Sequence, residues 1–240
     1  MTVETTVNGS ATSPNCVREP YAISTQGEHI LGVGSMMSLH WFPELDFGVY
    51  PVVASEEPYD QAYFDKYVQM AKTEQGQTIT AKRVELVNQF HTGRIVDIGV
   101  GSGAFVDAHG MAFGFDINPV AVEYLKKHDK YVPFPGLLDE KQTRFEAISM
   151  WDVLEHLRYP GKYLRWASRF VFLSIPIFEN AENAVRSRHF RKNEHRWYFT
   201  RSSLKAFMAE YGFRCVHEEH EPETGRESVF RFVFERTADG

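Results

Sequence analysis

Asp97 and three glycines behind it, Gly99, Gly101 and Gly103, form the part of this chain best suited to holding a ligand. Glycine removes side chains where backbone must turn sharply and a ligand must come close. Gly99, Gly101 and Ala104 also fit the GxGxxG/A pattern of a dinucleotide site, in which a helix N-terminus holds a pyrophosphate. A carboxylate two residues before the first glycine would repel a diphosphate and attract the ammonium of an aminoacyl group. A sulfonium cofactor with an amino-acid tail therefore fits the letters better.

Asp116 lies seventeen residues beyond Gly99, at the end of the short apolar run Ala112 to Phe115. A carboxylate at the tip of a second strand can accept both hydroxyls of a ribose. It could equally serve the start of a helix, since Asn118, Pro119 and the periodic residues Val120, Val122 and Leu125 follow. The two roles are compatible if Asn118 caps the helix and Asp116 binds.

A third group, Trp151, Asp152, Glu155 and His156, closes the run Phe145 to Leu157, FEAISMWDVLEHL. His156 is the candidate general base, because an imidazole accepts a proton near neutrality. It could instead tie down a neighbouring loop. The simpler reading has no metal. The alternative is that Asp152, Glu155, His156 and the distant His195 together bind a divalent ion that activates a hydroxyl pair.

These residues need a scaffold that delivers them to one edge. Ile95, Val96 and Ile98 suit a doubly covered parallel strand, and Ala147, Ile148 and Met150 suit another. Phe105, Val106 and Ala108 start a helix after the glycine turn, and Phe170 to Ile175 is a further strand. Leu204 to Tyr211 reads as an amphipathic helix stopped by Gly212, and the strands Phe213 to His217 and Val229 to Glu235 form an antiparallel hairpin. A third strand over Tyr131 to Asp139 is poorly defined, since Pro133, Pro135 and Gly136 interrupt it.

The order VDIGVGSG, FDIN, FEAISMWDVLEHL, FVFLSIP resembles that of the class I S-adenosylmethionine-dependent methyltransferases, over about Tyr59 to Glu235. It is most similar to the small-molecule group that carries "EHL" after the fourth strand. The resemblance implies an α/β fold with three layers, a Rossmann-like, seven-stranded, mostly parallel sheet and an antiparallel C-terminal hairpin. It implies an enzyme using S-adenosylmethionine. The methionine end would lie on Asp97, Gly99 and Gly101, the ribose on Asp116, the adenine edge on Ile117, and the amino group near the backbone of Met150 and Trp151, with Val100 and Gly103 also among the cofactor-binding residues. A fainter resemblance, to the small-RNA 3′-terminal 2′-O-methyltransferases, lies in Asp152, Glu155 and His156 and in HRWYFTR from His195 to Arg201; there the metal set is implied, with Asp152 in place of a glutamate.

At 240 residues the chain can bury one sizeable core. The expected division is a disordered tail over 1–20, a flap or extension over 21–57, and a methyltransferase domain over 58–236. Some relatives place a four-cysteine zinc ribbon before a "YDxxYFxxY" helix, and Tyr59, Asp60, Tyr63, Phe64 and Tyr67 match that helix. Of the ribbon only Cys16 remains, so no zinc is expected there. Cys16 and Cys215 form no CxxC pattern and read as free thiols of a reducing cytoplasm.

No apolar run reaches the roughly eighteen residues of a membrane span, so no membrane partner is expected. The net charge of −6 argues against gripping nucleic acid through overall charge. A local basic stretch, Arg186, Arg188, His189, Arg191, Lys192, His195 and Arg196, is either a solvated face or a wall for an anionic acceptor. The acceptor expected first is a small molecule or sugar, and nucleic acid bound through 186–196 is the alternative.

Overall fold

The computed structural model describes residues 28–31, 38–51, 59–133, 144–221 and 225–238. The expected tail, Cys16 and most of 131–139 fall outside them. Strand β1 is Glu28–Leu31, β2 Ser38–Phe42 and β3 Phe47–Val49; helices α1 (Gln61–Lys72) and α2 (Glu74–Phe90) follow. Then come β4 (Ile95–Ile98), α3 (Ala104–His109), β5 (Ala112–Phe115), α4 (Pro119–Lys127) and β6 (Phe145–Trp151). The chain continues through α5 (Gly161–Leu164), β7 (Ala167–Pro176), α6 (Ala181–Arg186), β8 (Trp197–Phe199), α7 (Arg201–Glu210), β9 (Phe213–His220) and β10 (Val229–Arg236).

The main sheet has the order β5-β4-β6-β7-β10-β9. Strands β5, β4, β6 and β7 are parallel, and β10 runs antiparallel to both β7 and β9. Its two faces are separately covered. Val96, Ile98, Ile148 and Met150 pack with Leu164, Leu204, Phe207 and Met208 on one side. Ile95, Ala147 and Trp151 pack with Leu86, Val87, Phe105, Val106, Ala121 and Leu125 on the other. Adjacent residues point to opposite faces of a strand, so a strand covered twice is apolar on both faces, and Asp97 of β4 and Ser149 of β6 are buried exceptions that bond to each other.

The sheet has six strands among the described residues, not seven. Where a further edge strand was expected, Tyr131 makes a single parallel bridge to Gly114. Pro133, two residues on, has no N–H to continue the ladder.

A second sheet was not foreseen as such. It is antiparallel, in the order β1-β2-β3-β8, and recruits a strand from the stretch 178–199 read as a long loop. Phe42, Phe47, Val49, Trp197 and Phe199 share a core with Met150, Leu173 and Ile175 of the main sheet. The residues before α1 therefore help to build the wall beside β6 and β7.

Caps set where the helices begin. Asp60 accepts from the Tyr63 N–H and starts α1, and Asn118 accepts from the Val120 N–H with Pro119 behind it, as expected for α4. Gly103 caps α3 with φ +79°, and an added Cβ would lie 2.6 Å from Tyr124 Cε1. Gly103→Ala is thus expected to cost about 2 kcal/mol in chemical denaturation, since strain and overlap act together.

Candidate functional site

The carboxyl ends of β4, β5 and β6 open into a cleft of about 840 Å³. This is where open α/β sheets take ligands. Asp97, Gly99, Val100, Gly101, Asp116, Ile117 and Trp151 all line it. Met150 is fully buried below and does not line the cleft, and Gly103 sits against Tyr124 as the helix cap. Ile117 stands at the rim with 62% of its surface exposed.

Asp97 is the most buried acid of the glycine turn, and Ser149 Oγ donates to its Oδ1 at 2.7 Å. Burial outweighs that hydrogen bond and pushes the carboxyl up to about 8. Gly99 has φ +75°, and Val153 fills the space where a side chain would stand. Asp116 accepts from the Gly101 N–H at 3.2 Å and the Asn118 N–H at 2.8 Å, so it orders the turn as well as facing the cleft. Burial raises its pKa against those backbone donors.

One wall is aromatic. Tyr59, just before α1, packs edge to face on Tyr63 with ring centroids 5.1 Å apart, Tyr63 packs at a tilt on Tyr67 at 4.9 Å, and the Tyr63 hydroxyl donates to that of Tyr67 at 3.3 Å. The helical spacing of these residues was legible, and all three reach the cleft rather than only the core.

On the far side, the 3₁₀ turn Leu154–His156 meets the segment before β8. Ligand atoms of Glu155, His156 and His195 all lie within 4.8 Å of one another. The His156 and His195 rings pack edge to face at 4.6 Å, and His156 Nδ1 contacts the Glu194 carbonyl at 3.1 Å. A carbonyl partner makes Nδ1 the protonated nitrogen and leaves Nε2 its lone pair. Burial and the nearby Asp152 charge push Glu155 up to about 8. Burial lowers His156, and burial with His156 beside it pushes His195 down to about 2.

Asp152, the fourth member of the expected set, is not part of this cluster. Arg83 Nη2 donates to its Oδ2 at 2.7 Å, and Arg226 and Ser174 Oγ take Oδ1. Burial opposes its charge, but Arg226 and Arg83 hold it well below the usual carboxylate range. A carboxylate neutralised by two guanidiniums has little left to offer a metal. Arg83 also lies over the Trp151 ring at 5.1 Å. Neither arginine was singled out in the sequence, where each is one ordinary charge on a helix or a hairpin.

The basic stretch divides by partner. Arg186 pairs with Glu182 and Arg191 with Glu194, whereas Arg188 lines the cleft with no carboxylate in ion-pair reach among the described residues.

A twisted parallel sheet, a glycine turn after its first central strand and an acid at the tip of the next define a Rossmann-like fold of the methyltransferase class. Residues 66–218 match the methyltransferase-domain family, and the chain belongs to it as a class I S-adenosylmethionine-dependent methyltransferase. The fold is similar to that of magnesium protoporphyrin IX methyltransferase from Synechocystis with bound SAH: TM-score 0.55, 13% identity, 75% of this chain and 96% of that one covered. A possible histamine N-methyltransferase from Thermotoga maritima matches at TM-score 0.53 and 15% identity, covering 73% and 97%. The methyltransferase domain of bacterial CtHen1-C matches at TM-score 0.50 and 16% identity, covering 69% and 100%. No curated protein matches the sequence. None of the described helices is long and apolar enough to cross a membrane.

Proposed function

We propose that the protein methylates a hydroxyl oxygen of a polar acceptor, and that Glu155, His156 and His195 hold a divalent cation to which that hydroxyl binds. The observation that carries this reading is the convergence of their ligand atoms within 4.8 Å on the wall of the same cleft that contains Asp97 and Asp116.

The donor set fits a metal. Glu155 Oε2 and His195 Nδ1 are buried without a hydrogen-bond partner among the described residues. The lowered pKa of both histidines keeps them neutral, the form with a lone pair to donate. One carboxylate, which Glu155 would become by giving up its proton to make room for the ion, and two imidazoles suit Mn²⁺, Fe²⁺ or Zn²⁺ better than an all-oxygen ion such as Mg²⁺. A bound cation would act as a Lewis acid that eases loss of the acceptor's hydroxyl proton.

The residues also fit the cofactor. Asp97 is a buried acid without a cation of its own in ion-pair reach among the described residues, and an ammonium group would relieve its desolvation. Asp116 lines the cleft, where its carboxylate could accept from ribose hydroxyls. S-adenosylmethionine supplies the electrophilic methyl group, and the protein's share is alignment and exclusion of water. Tyr59, Tyr63 and Tyr67 would wall that space. Arg188 at the mouth suits an anionic group on the acceptor.

The test is methyl transfer from labelled cofactor to a panel of polyols, catechols, sugar phosphates, nucleotides and short RNA, before and after chelation. Incorporation into a hydroxyl acceptor should disappear with EDTA and return with Mn²⁺. Turnover indifferent to chelation would overturn the metal and leave His156 as the base.

A further inference from the structure

We propose that the Arg226–Asp152 ion pair closes a ring of contacts that holds residues 187–196 against the cofactor cleft, making Asp152 and Arg226 positioning residues for the methyl acceptor. The ring is geometric; its link to the acceptor rests on the function proposed above.

Asp152 follows β6 directly and adopts φ +59°, a left-handed conformation that is strained for a residue with a side chain. Such a conformation persists where its surroundings hold it. The Asp152 N–H donates to the Ser174 carbonyl at 2.9 Å, and both carboxylate oxygens are committed to Arg83, Arg226 and Ser174. Arg83 comes from α2 and Arg226 from the turn between β9 and β10.

Arg226 carries the contact onward. The residues flanking it offer their carbonyls to the acceptor side: Arg188 Nη2 donates to Gly225 O at 3.0 Å, and His189 Nε2 meets Glu227 O at 2.8 Å. The other end of the segment is held by the 3₁₀ turn. His156 Nδ1 meets Glu194 O at 3.1 Å, and the Arg196 N–H donates to Glu155 O at 2.8 Å. Glu155 and His156 lie only three and four residues after Asp152, so the chain itself completes the circuit. Residues 187–196 are thus pinned at both ends, and Arg226–Asp152 joins the two pins.

The part-buried pair is screened by fewer waters than a surface bridge, and each partner has a second ion pair, Asp152 with Arg83 and Arg226 with the buried Glu221 at 3.3 Å, so the pair belongs to a short chain of charges. Loss of the pair should loosen the front of the segment and leave the sheet intact. His195 belongs to the segment, so its position relative to Glu155 would become variable.

Hydrogen exchange on the full chain tests this. In Arg226→Met, amides of 188–196 and 225–229 should exchange about tenfold faster, with β4 and β6 unchanged. Arg226→Lys, which keeps one charged donor, should restore much of the protection. The double variant with Asp152→Asn should exchange more slowly than the two single effects combined would give, the signature of a shared interaction. S-adenosylhomocysteine affinity of Arg226→Met should stay within about threefold of wild type, because Arg226 pairs with Asp152 and Glu221 and not with Asp97 or Asp116. Unchanged protection of 188–196 in Arg226→Met would overturn the proposal, as would equal acceleration across every strand. Failure of the wild-type protein to bind S-adenosylhomocysteine would count against the cofactor reading alone and leave the exchange result standing.

Discussion

Asp97→Asn is expected to weaken S-adenosylhomocysteine binding about 100-fold at pH 8.5 and, at the same pH, to stabilise the ligand-free protein. A charge-assisted hydrogen bond to a cation in a dry site is worth about 3 kcal/mol, which corresponds to that factor. The opposite effect on stability follows from the raised carboxyl, pushed up to about 8 by burial. Its unfolded value is about 3.9. A group whose folded pKa is raised contributes stability that is complete below the unfolded value and is lost as pH rises through the folded one. Above about 8 the wild-type protein therefore holds an ionised Asp97 in a dry site, and the amide does not, while its oxygen can still accept from Ser149. Melting temperatures at pH 6 and 8.5 should show the wild type losing more on alkalinisation than the variant. Calorimetry at pH 7 in buffers of different ionisation enthalpy should show proton release on binding in the wild type only. Equal affinity in both proteins would remove Asp97 from the cofactor site.

For the metal, His195→Ala is the decisive change. Its expected result is loss of measurable Mn²⁺ binding and a fall in turnover on the order of 1,000-fold, because Lewis-acid activation supplies several kcal/mol of the barrier lowering. Glu155→Gln should behave likewise, since an amide is a far poorer ligand than a carboxylate. Affinity for S-adenosylhomocysteine should hold in both, as Asp97 and Asp116 take their hydrogen bonds from Ser149, Gly101 and Asn118 and not from the cluster. Mn²⁺ titration followed by water proton relaxation reads the binding without any acceptor. A wild-type titration curve in His195→Ala would defeat the assignment.

Local signals made half of the site readable. Asp97, the glycine turn, Asp116 and Asn118 fall within 22 consecutive residues, and each is marked by its neighbours: an apolar strand before, a helix cap after. β5 was expected at Ala112 to Phe115 and lies there, because four apolar residues bounded by a glycine-containing turn and an acid leave little choice. The part of the candidate site around Asp152 was not readable in the same way. Arg83 and Arg226 gain their meaning only by meeting Asp152, which is 69 and 74 residues away from them. Asp152 itself, spaced like a ligand, is diverted by partners that no spacing reveals. Strands β3 and β8 have three residues each, too few for alternation to register, and Tyr131 to Asp139 was weakened as a strand by its prolines.

The small sheet also bears on how the chain reaches its native state. Phe47 pairs with Phe199 across about 150 residues, a separation that makes closure slow because so much chain must be ordered first. During synthesis β3 must wait for its β8 partner until four of the six strands of the main sheet have been made. The wall beside the Glu155–His195 cluster is thus among the last parts to assemble, and a ribosome-bound intermediate could present the cofactor strands before it has any place to put an acceptor.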